Sequence, residues 1–173
     1  MNSVRLQAIL VFCFLVLSSA ISLADSPKEK VDRGEEYYRF GRFDEAVAEF
    51  SQAIKQDGRY QRAFYARGKA FQMQGRYRQA IADFTRAIEL KKDCARAFFH
   101  RGEIYMALKE YRRAIADFDR AIGIRSKYAP VLHARGLAKA AVNDREGAVA
   151  DMRKAAEFGD EDAARWLLMH RAQ

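Results

Sequence analysis

Residues 61–94 read QRAFYARGKAFQMQGRYRQAIADFTRAIELKKDC, and residues 95–128 repeat their pattern as ARAFFHRGEIYMALKEYRRAIADFDRAIGIRSKY. The pattern extends to both sides at a constant spacing of 34 residues. Five columns recur in four successive segments: Arg33, Arg67, Arg101 and Arg135; Gly34, Gly68, Gly102 and Gly136; Ala46, Ala80, Ala114 and Ala148; Phe50, Phe84, Phe118 and Met152; Ala53, Ala87, Ala121 and Ala155. A repeat of this length indicates an array of supersecondary units, none of which can bury its apolar face alone.

Each unit is predicted to contain two amphipathic helices. Apolar residues recur at three- and four-residue steps in both halves of residues 61–94, and a Gly-Arg pair at Gly75 separates the halves. Gly41, Gly75 and Asn143 suit the left-handed conformation that ends a helix, whereas Lys109 suits it less well. The Gly and Ala columns are expected to let helix backbones approach closely, and the Phe column is expected to fill the space beside them.

These columns resemble those of the tetratricopeptide repeat family, whose unit has a small residue near its start, two alanines in its second half and an aromatic residue between those alanines. The resemblance covers essentially everything after residue 26. It implies an all-α fold, an α-solenoid of four helix-turn-helix units at 27–60, 61–94, 95–128 and 129–162, with a capping helix at 163–173.

Two features depart from the family pattern. The proline near the end of the family's unit is absent from all four units. The fourth unit is the weakest, with Met152 in the aromatic column and with Lys139 and Arg145 where earlier units have Tyr or Phe. We expect its helices to form and to pack less tightly.

Residues 1–24, MNSVRLQAILVFCFLVLSSAISLA, have the layout of a secretory signal peptide. Arg5 precedes an apolar run over 8–17, which is long enough for a signal core and shorter than the roughly 20 residues of a permanent membrane span. Cleavage is expected between Ala24 and Asp25, with Ala20 as a weaker site and retention as a membrane anchor as the alternative. The protein is therefore expected to be exported, either to a bacterial periplasm or to the extracellular space.

The composition argues against several functional classes. Two cysteines in 173 residues cannot support a disulfide scaffold or a Cys-rich zinc module. The sequence has no Gly-rich phosphate loop, no HExxH, no CxxC and no nucleophile elbow. His100 and His133 fall on neighbouring first helices, but a metal site needs three or four ligands. A non-enzymatic binding module without a cofactor or a metal is expected.

The resemblance implies a groove on the concave surface, formed by the first helices of the units. The predicted groove residues are Arg62, Tyr65, Lys69, Arg96, Phe99, His100, Glu103 and His133. Tyr65, Phe99 and His133 are expected to form an aromatic row that is flanked by the cations. Such a surface suits another protein or a peptide with acidic and apolar side chains. The alternative is that the rings pack against neighbouring helices and that the cations are only solvated.

One subfamily uses Lys and Asn in its first unit to clamp a carboxy-terminal carboxylate. Val31 and Glu35 stand at those positions here. The two-carboxylate clamp is therefore not expected, although Arg96 and His100 resemble its third-unit basic pair.

The net charge of +8 falls to +7 when Arg5 leaves with the signal peptide. An acidic residue follows each member of the Arg column after sixteen positions: Glu49, Asp83, Asp117 and Asp151. Ion pairs between helices are expected, within a unit or to its neighbour, and such internal compensation argues against nucleic acid as the partner. Peripheral binding to an anionic membrane or cell-wall polymer remains the alternative function.

Overall fold

The computed structural model describes residues 25–170, which form nine α-helices and no strand. The helices are α1 Pro27–Arg39, α2 Phe43–Gln56, α3 Gln61–Met73, α4 Tyr77–Leu90, α5 Ala95–Ala107, α6 Tyr111–Ile124, α7 Ala129–Ala141, α8 Arg145–Glu157 and α9 Glu161–Met169. The predicted signal peptide, 1–24, and the last residues, 171–173, lie outside the described part of the chain. Among the helices of residues 25–170, none combines the length and the apolar character needed to cross a bilayer.

Consecutive helices pack against each other through connections of three or four residues. Such short connections make neighbouring helices antiparallel. The odd-numbered helices also contact one another in series, α1 with α3, α3 with α5 and α5 with α7. The structure therefore confirms the all-α solenoid of helix pairs, in which α1, α3, α5 and α7 share one continuous face.

The core of each unit is a large side chain that packs against a helix glycine. Phe50, Phe84, Phe118 and Met152 are at most 1% exposed. A Cβ placed on Gly34 would lie 2.5 Å from Phe50 Cε1, and one placed on Gly102 would lie 2.5 Å from Phe118 Cε1. These distances are far below van der Waals contact, so the close approach of the two helices requires glycine, as predicted.

The turn inside each unit places one residue in the left-handed region. The φ angles there are +74° at Gly41, +70° at Gly75, +61° at Lys109 and +64° at Asn143. Because the unit geometry repeats, Lys109 adopts the same backbone conformation as the glycines despite its side chain.

Every member of the Arg column forms the predicted ion pair with the acidic residue sixteen positions later. The N···O distances are 2.9 Å for Arg33–Glu49, 2.7 Å for Arg67–Asp83, 2.7 Å for Arg101–Asp117 and 2.6 Å for Arg135–Asp151. Each pair joins the two helices of one unit.

Three of these arginines also bond to the preceding unit. Nη1 of Arg67 donates to Ser51 Oγ at 3.0 Å, Nη1 of Arg101 donates to Thr85 Oγ1 at 2.8 Å, and Nη1 of Arg135 donates to Asp119 Oδ1 at 2.6 Å. Each acceptor lies sixteen positions before its arginine. A single guanidinium therefore connects the first helix of its unit to the second helices of two successive units.

The fourth unit forms both of its helices, α7 and α8. A Cβ on Gly136 would lie 3.1 Å from Met152 Cε, so this crossing is less tight than the aromatic ones. Lys139, which replaces an aromatic residue of the earlier units, donates to Asp151 at 2.9 Å and forms a further ion pair beside Arg135.

The last helix, α9, begins at Glu161, two residues before the predicted boundary at 163. Asp160 sets this start because its side chain accepts the Ala163 N–H at 2.8 Å. Trp166 and Leu167 pack on the buried cluster that contains Met152, while the acidic first turn of α9 is exposed.

Candidate functional site

A cavity of about 570 Å³ opens on the face shared by α1, α3 and α5. Its lining residues are Asp32, Glu35, Tyr38, Arg39, Phe50, Tyr65, Ala66, Lys69 and Arg96. We call this cavity the groove. Three of the eight predicted site residues, Tyr65, Lys69 and Arg96, line it directly.

Helical spacing accounts for this set of residues. Asp32, Glu35 and Arg39 are three and four residues apart on α1, so they lie on the same helix face. Tyr65 and Lys69 are likewise four residues apart on α3. Contact between the odd-numbered helices then brings the two faces to opposite sides of one cavity.

Arg62 lies at the edge of the groove and is held by acidic groups of α1. Its Nε and Nη2 donate to the two carboxylate oxygens of Glu35 at 3.1 and 2.7 Å, and Nη2 lies 3.0 Å from Asp32 Oδ1. The hydrogen bonds to Glu35 raise the pKa of Arg62 above its ordinary value. The structure thus places this predicted groove cation in an internal ion pair that fastens α3 to α1.

The other groove cations are not neutralised in this way. Lys69 Nζ lies 4.6 Å from the centroid of the Tyr38 ring, which is a cation–π contact. Arg39 and Arg96 are exposed and form no ion pair within residues 25–170. Three positive charges therefore remain available to a ligand, next to Arg62 and the two carboxylates, Glu35 and Asp32, that pair with it.

Tyr65 forms the apolar wall of the groove. Burial raises the pKa of Tyr65 well above the ordinary value of a phenol, although nearby Arg96 acts in the opposite direction. Its hydroxyl therefore stays protonated at physiological pH. The ring lies 6.0 Å from Phe84 and 5.8 Å from His100, measured between centroids, so it rests on the core of the second unit.

The aromatic row differs from the predicted one in composition. His100 lies between Tyr65 and Phe99, at 5.8 and 5.3 Å from their centroids, and Phe99 lies 5.5 Å from Tyr128. Among the ring contacts of residues 25–170, none joins Phe99 to His133. The observed order is Tyr65, His100, Phe99 and Tyr128, because adjacent residues on α5 both contribute rings.

The remaining predicted site residues bond within the protein. His100 Nδ1 lies 2.8 Å from Glu103 Oε2, and the same oxygen accepts from Gln72 at 3.4 Å. His133 Nδ1 lies 3.2 Å from an oxygen of Asp160, the cap of α9. The described residues contain no cluster of three potential metal ligands.

The prediction missed the contribution of the first unit. Asp32, Glu35, Tyr38 and Arg39 line the groove but were not among the predicted site residues. The signal was present, because these residues stand 34 positions before Ala66, Lys69, Gln72 and Met73 on the equivalent helix. Applying the repeat spacing to the predicted residues Lys69 and His100 would have found Glu35 and Asp32. The equivalents of Tyr38 and Arg39 were not among the predicted groove residues.

Two family models match the chain. One, described as a tetratricopeptide repeat, matches residues 65–129, and a second, described as a TPR repeat, matches residues 34–75. No curated protein matches the sequence.

Several solved structures share the fold. A crystal structure of MamA is 24% identical, with a TM-score of 0.76 over 85% of this chain and 86% of that one. A thermophilic TPR protein of Thermus thermophilus is 21% identical, with a TM-score of 0.67 over 78% of this chain and 75% of that one. The first TPR of Spaghetti (RPAP3), bound to the HSP90 peptide SRMEEVD, is 20% identical, with a TM-score of 0.67 over 69% of this chain and 97% of that one. With its recurring columns, its helix pairs and these matches, the chain belongs to the tetratricopeptide repeat family.

Proposed function

We propose that the groove binds a segment of another protein and that the chain acts as a non-enzymatic interaction scaffold. The observation that carries this proposal is the composition of the cavity between α1, α3 and α5. A half-buried aromatic wall at Tyr65 lies beside three cations that no carboxylate of the described chain neutralises. Apolar surface with a few convergent charges is the usual character of a binding site.

The charges favour an acidic segment. Arg39 and Arg96 can each bind a carboxylate through two parallel hydrogen bonds, and Lys69 adds a third positive charge. An apolar side chain of the ligand would rest on Tyr65 and on the neighbouring rings of His100 and Phe99. Asp32 and Glu35, next to Arg62, would repel a carboxylate placed at that end and so fix the register of the ligand.

The peptide complex of Spaghetti (RPAP3) supports a protein ligand in general terms, because a related fold binds the peptide SRMEEVD, which contains acidic residues. The Lys and Asn with which one subfamily clamps a carboxy-terminal carboxylate are replaced here by Val31 and Glu35, and Glu35 lines the groove. We therefore propose an internal acidic segment as the ligand rather than a free carboxy terminus.

We also propose that the scaffold works in the bacterial envelope after export. The sequence of residues 1–24 supports this location, because an apolar signal core is followed by a small-x-small cleavage site at Ser22 and Ala24, directly before Asp25. Amino-terminal sequencing of the protein recovered from the envelope fraction tests it. A mature chain that begins at Asp25 is expected, and recovery of the intact chain from the cytoplasm would contradict the proposal.

The binding proposal is tested by affinity capture from the envelope fraction with immobilised mature protein, followed by mass spectrometry. A Tyr65→Ala, Arg96→Ala double variant is expected to lose the proteins that the wild type retains. The matched control, Tyr65→Phe with Arg96→Lys, keeps the ring and the charge and should retain them. Equal retention by the alanine variant and the wild type would show that the partner binds elsewhere.

A further inference from the structure

A second charged surface lies at the edge of the solenoid where the units join. Because consecutive helices are antiparallel, α3, α5 and α7 begin at the same edge at which α2, α4 and α6 end. Three connections at this edge join repeat units, residues 57–60, 91–94 and 125–128, and a fourth, 158–160, joins α8 to the acidic first turn of α9. We call it the unit-junction edge.

Six cations are exposed along the unit-junction edge. They are Lys55, Arg59, Lys91, Lys92, Arg125 and Lys127. Within residues 25–170 none of the six takes part in an ion pair. The three connections contain only two carboxylates, Asp57 and Asp93, and Asp57 already accepts the Arg59 backbone N–H at 2.8 Å. When the last helical turns are counted with the connections, Lys55 on α2 is matched by exposed Glu89 at the equivalent position of α4, so six cations stand against three carboxylates, a surplus of three positive charges at the three unit junctions.

No acidic side chain in the first turn of α3, α5 or α7 offsets these cations. The side chains of the cap residues Tyr60, Cys94 and Tyr128 accept no hydrogen bond from the first-turn backbone. The negative ends of α2, α4 and α6 meet the positive ends of α3, α5 and α7 here, so the helix dipoles add no net charge and the surplus comes from the side chains. Tyr60 and Tyr128 also place two half-buried rings at the edge, which is the kind of side chain that suits a membrane–water interface.

The predicted signal peptide joins the protein at this same edge. The first helix, α1, runs parallel to α3, so Pro27 lies at the unit-junction edge. Only Asp25 and Ser26 separate the apolar leader from α1, a distance of about 7 Å at most for an extended chain. While the leader is held in a bilayer, the six cations are therefore close to the headgroups.

We propose that the unit-junction edge binds the anionic phosphate headgroups of a phospholipid membrane. Charge complementarity and the position of the leader carry the proposal, and the interaction persists after the leader is removed. Most of the groove is lined by residues beyond the first turns of α1 and α3, with Arg96 from the first turn of α5, so a chain that is attached through its helix ends keeps most of the groove open to a partner.

The test is sedimentation with vesicles of phosphatidylcholine alone or mixed with phosphatidylglycerol. The protein used begins at Asp25, since the helices, core clusters and ion pairs of the described fold are all made within residues 25–170. The wild type is expected to bind the anionic vesicles at low salt and to be released at high salt, because screening weakens the attraction. Binding that is equal for both lipid compositions would overturn the proposal.

Two charge-reversal variants distinguish binding by the unit-junction edge from attraction by the net charge of the protein. Arg59→Glu with Arg125→Glu changes the unit-junction edge, and Arg78→Glu with Arg112→Glu changes two exposed arginines on α4 and α6 near the opposite edge. Both variants have the same net charge. The first is expected to lower vesicle partitioning by about tenfold or more, and the second by less than about threefold.

Thermal unfolding shows that both variants are folded before vesicles are added. Equal losses for the two variants would overturn the edge assignment and indicate attraction by net charge alone. Retention of the wild type on double-stranded DNA as strong as on anionic vesicles, at the same salt concentration, would overturn the assignment to lipid.

Discussion

Arg101 and Asp117 form a two-pronged ion pair across α5 and α6, in which Nε and Nη2 donate to separate carboxylate oxygens at 2.8 and 2.7 Å. The hydrogen bonds to Asp117 raise the pKa of Arg101, and burial of the guanidinium acts in the opposite direction. The side chain of Asp117 is only 8% exposed. The Asp117 carboxylate has little contact with water, so the two hydrogen bonds from Arg101 are what stabilise its charge.

Replacing Arg101 by Ala is expected to destabilise the protein by about 3 kcal/mol, because Asp117 is left charged, buried and without its main partner. The free energy of unfolding in urea measures the loss. The double variant Arg101→Met, Asp117→Leu removes both charges and should recover most of it. A loss below about 1 kcal/mol for Arg101→Ala would mean that the pair behaves like an exposed one.

Stability is expected to fall in acid through Asp151. Burial alone would raise the pKa of Asp151, but the hydrogen bonds from Arg135 and Lys139 outweigh burial and hold this pKa below its ordinary value of 3.8. The resulting stability is fully present above the unfolded-state pKa and is lost as the pH falls through the lower folded-state pKa. Urea unfolding between about pH 6 and pH 2 tests this, and Asp151→Asn should flatten the dependence. An unchanged slope in that variant would assign the acid sensitivity to other carboxylates.

Three glycine variants separate close packing from backbone conformation. Gly102→Ala is expected to cost about 1–3 kcal/mol, because the new Cβ overlaps the Phe118 ring. Gly41→Ala should cost about 1 kcal/mol by backbone strain alone, since φ is +74° and no atom lies within 4 Å of the added Cβ. Gly123→Ala has free space and no positive φ, so it should be neutral or stabilising by up to about 0.5 kcal/mol.

Melting temperatures and urea midpoints rank the three glycine variants. A Gly102→Ala variant as stable as Gly123→Ala would contradict the close helix crossing. Adding Phe118→Leu to Gly102→Ala should restore part of the loss, because the smaller side chain leaves room for the methyl group.

Glu35 and Arg96 are expected to act on the groove ligand in opposite directions. Glu35→Gln removes a negative charge and frees Arg62, so it should strengthen binding of an acidic partner by several-fold. Arg96→Gln should weaken binding by a similar factor, since it removes a cation that no carboxylate of the described chain neutralises. Titration of each variant against a partner recovered by affinity capture measures both effects. Equal signs for the two variants would contradict an acidic ligand.

Repetition made most of the fold predictable from sequence. The columns that contain Gly68 and Phe84 recur in all four units, so they predict the same helix packing four times. The structure confirms the helix pairs, the glycine contacts and the Arg–acid pairs. Even the left-handed conformation at Lys109 follows from equivalence with Gly75, which shows that the geometry of the unit overrides local preference.

The site was less predictable because a side chain in the groove has several possible partners within its reach. Arg62 could face solvent or α1, and only its distances to Glu35 and Asp32 reveal the internal pair. The acceptors that the Arg column uses in the preceding unit were not identified, since Ser51, Thr85 and Asp119 differ in residue type although they share a position. A comparison that looks only for identical residues overlooks this position, because Ser, Thr and Asp can all accept the hydrogen bond from the arginine.

The first arginine of the column, Arg33, follows no other unit within residues 25–170 and bonds instead to Asp25 at 2.8 Å. Asp25 therefore takes the place that Ser51, Thr85 and Asp119 hold for the later arginines. A further unit added ahead of residue 27 would have to displace Asp25 before it could bond to Arg33. Asp25 thus completes the hydrogen bonding of the first unit's arginine, and it is the residue that the predicted export cleavage would leave at the amino terminus.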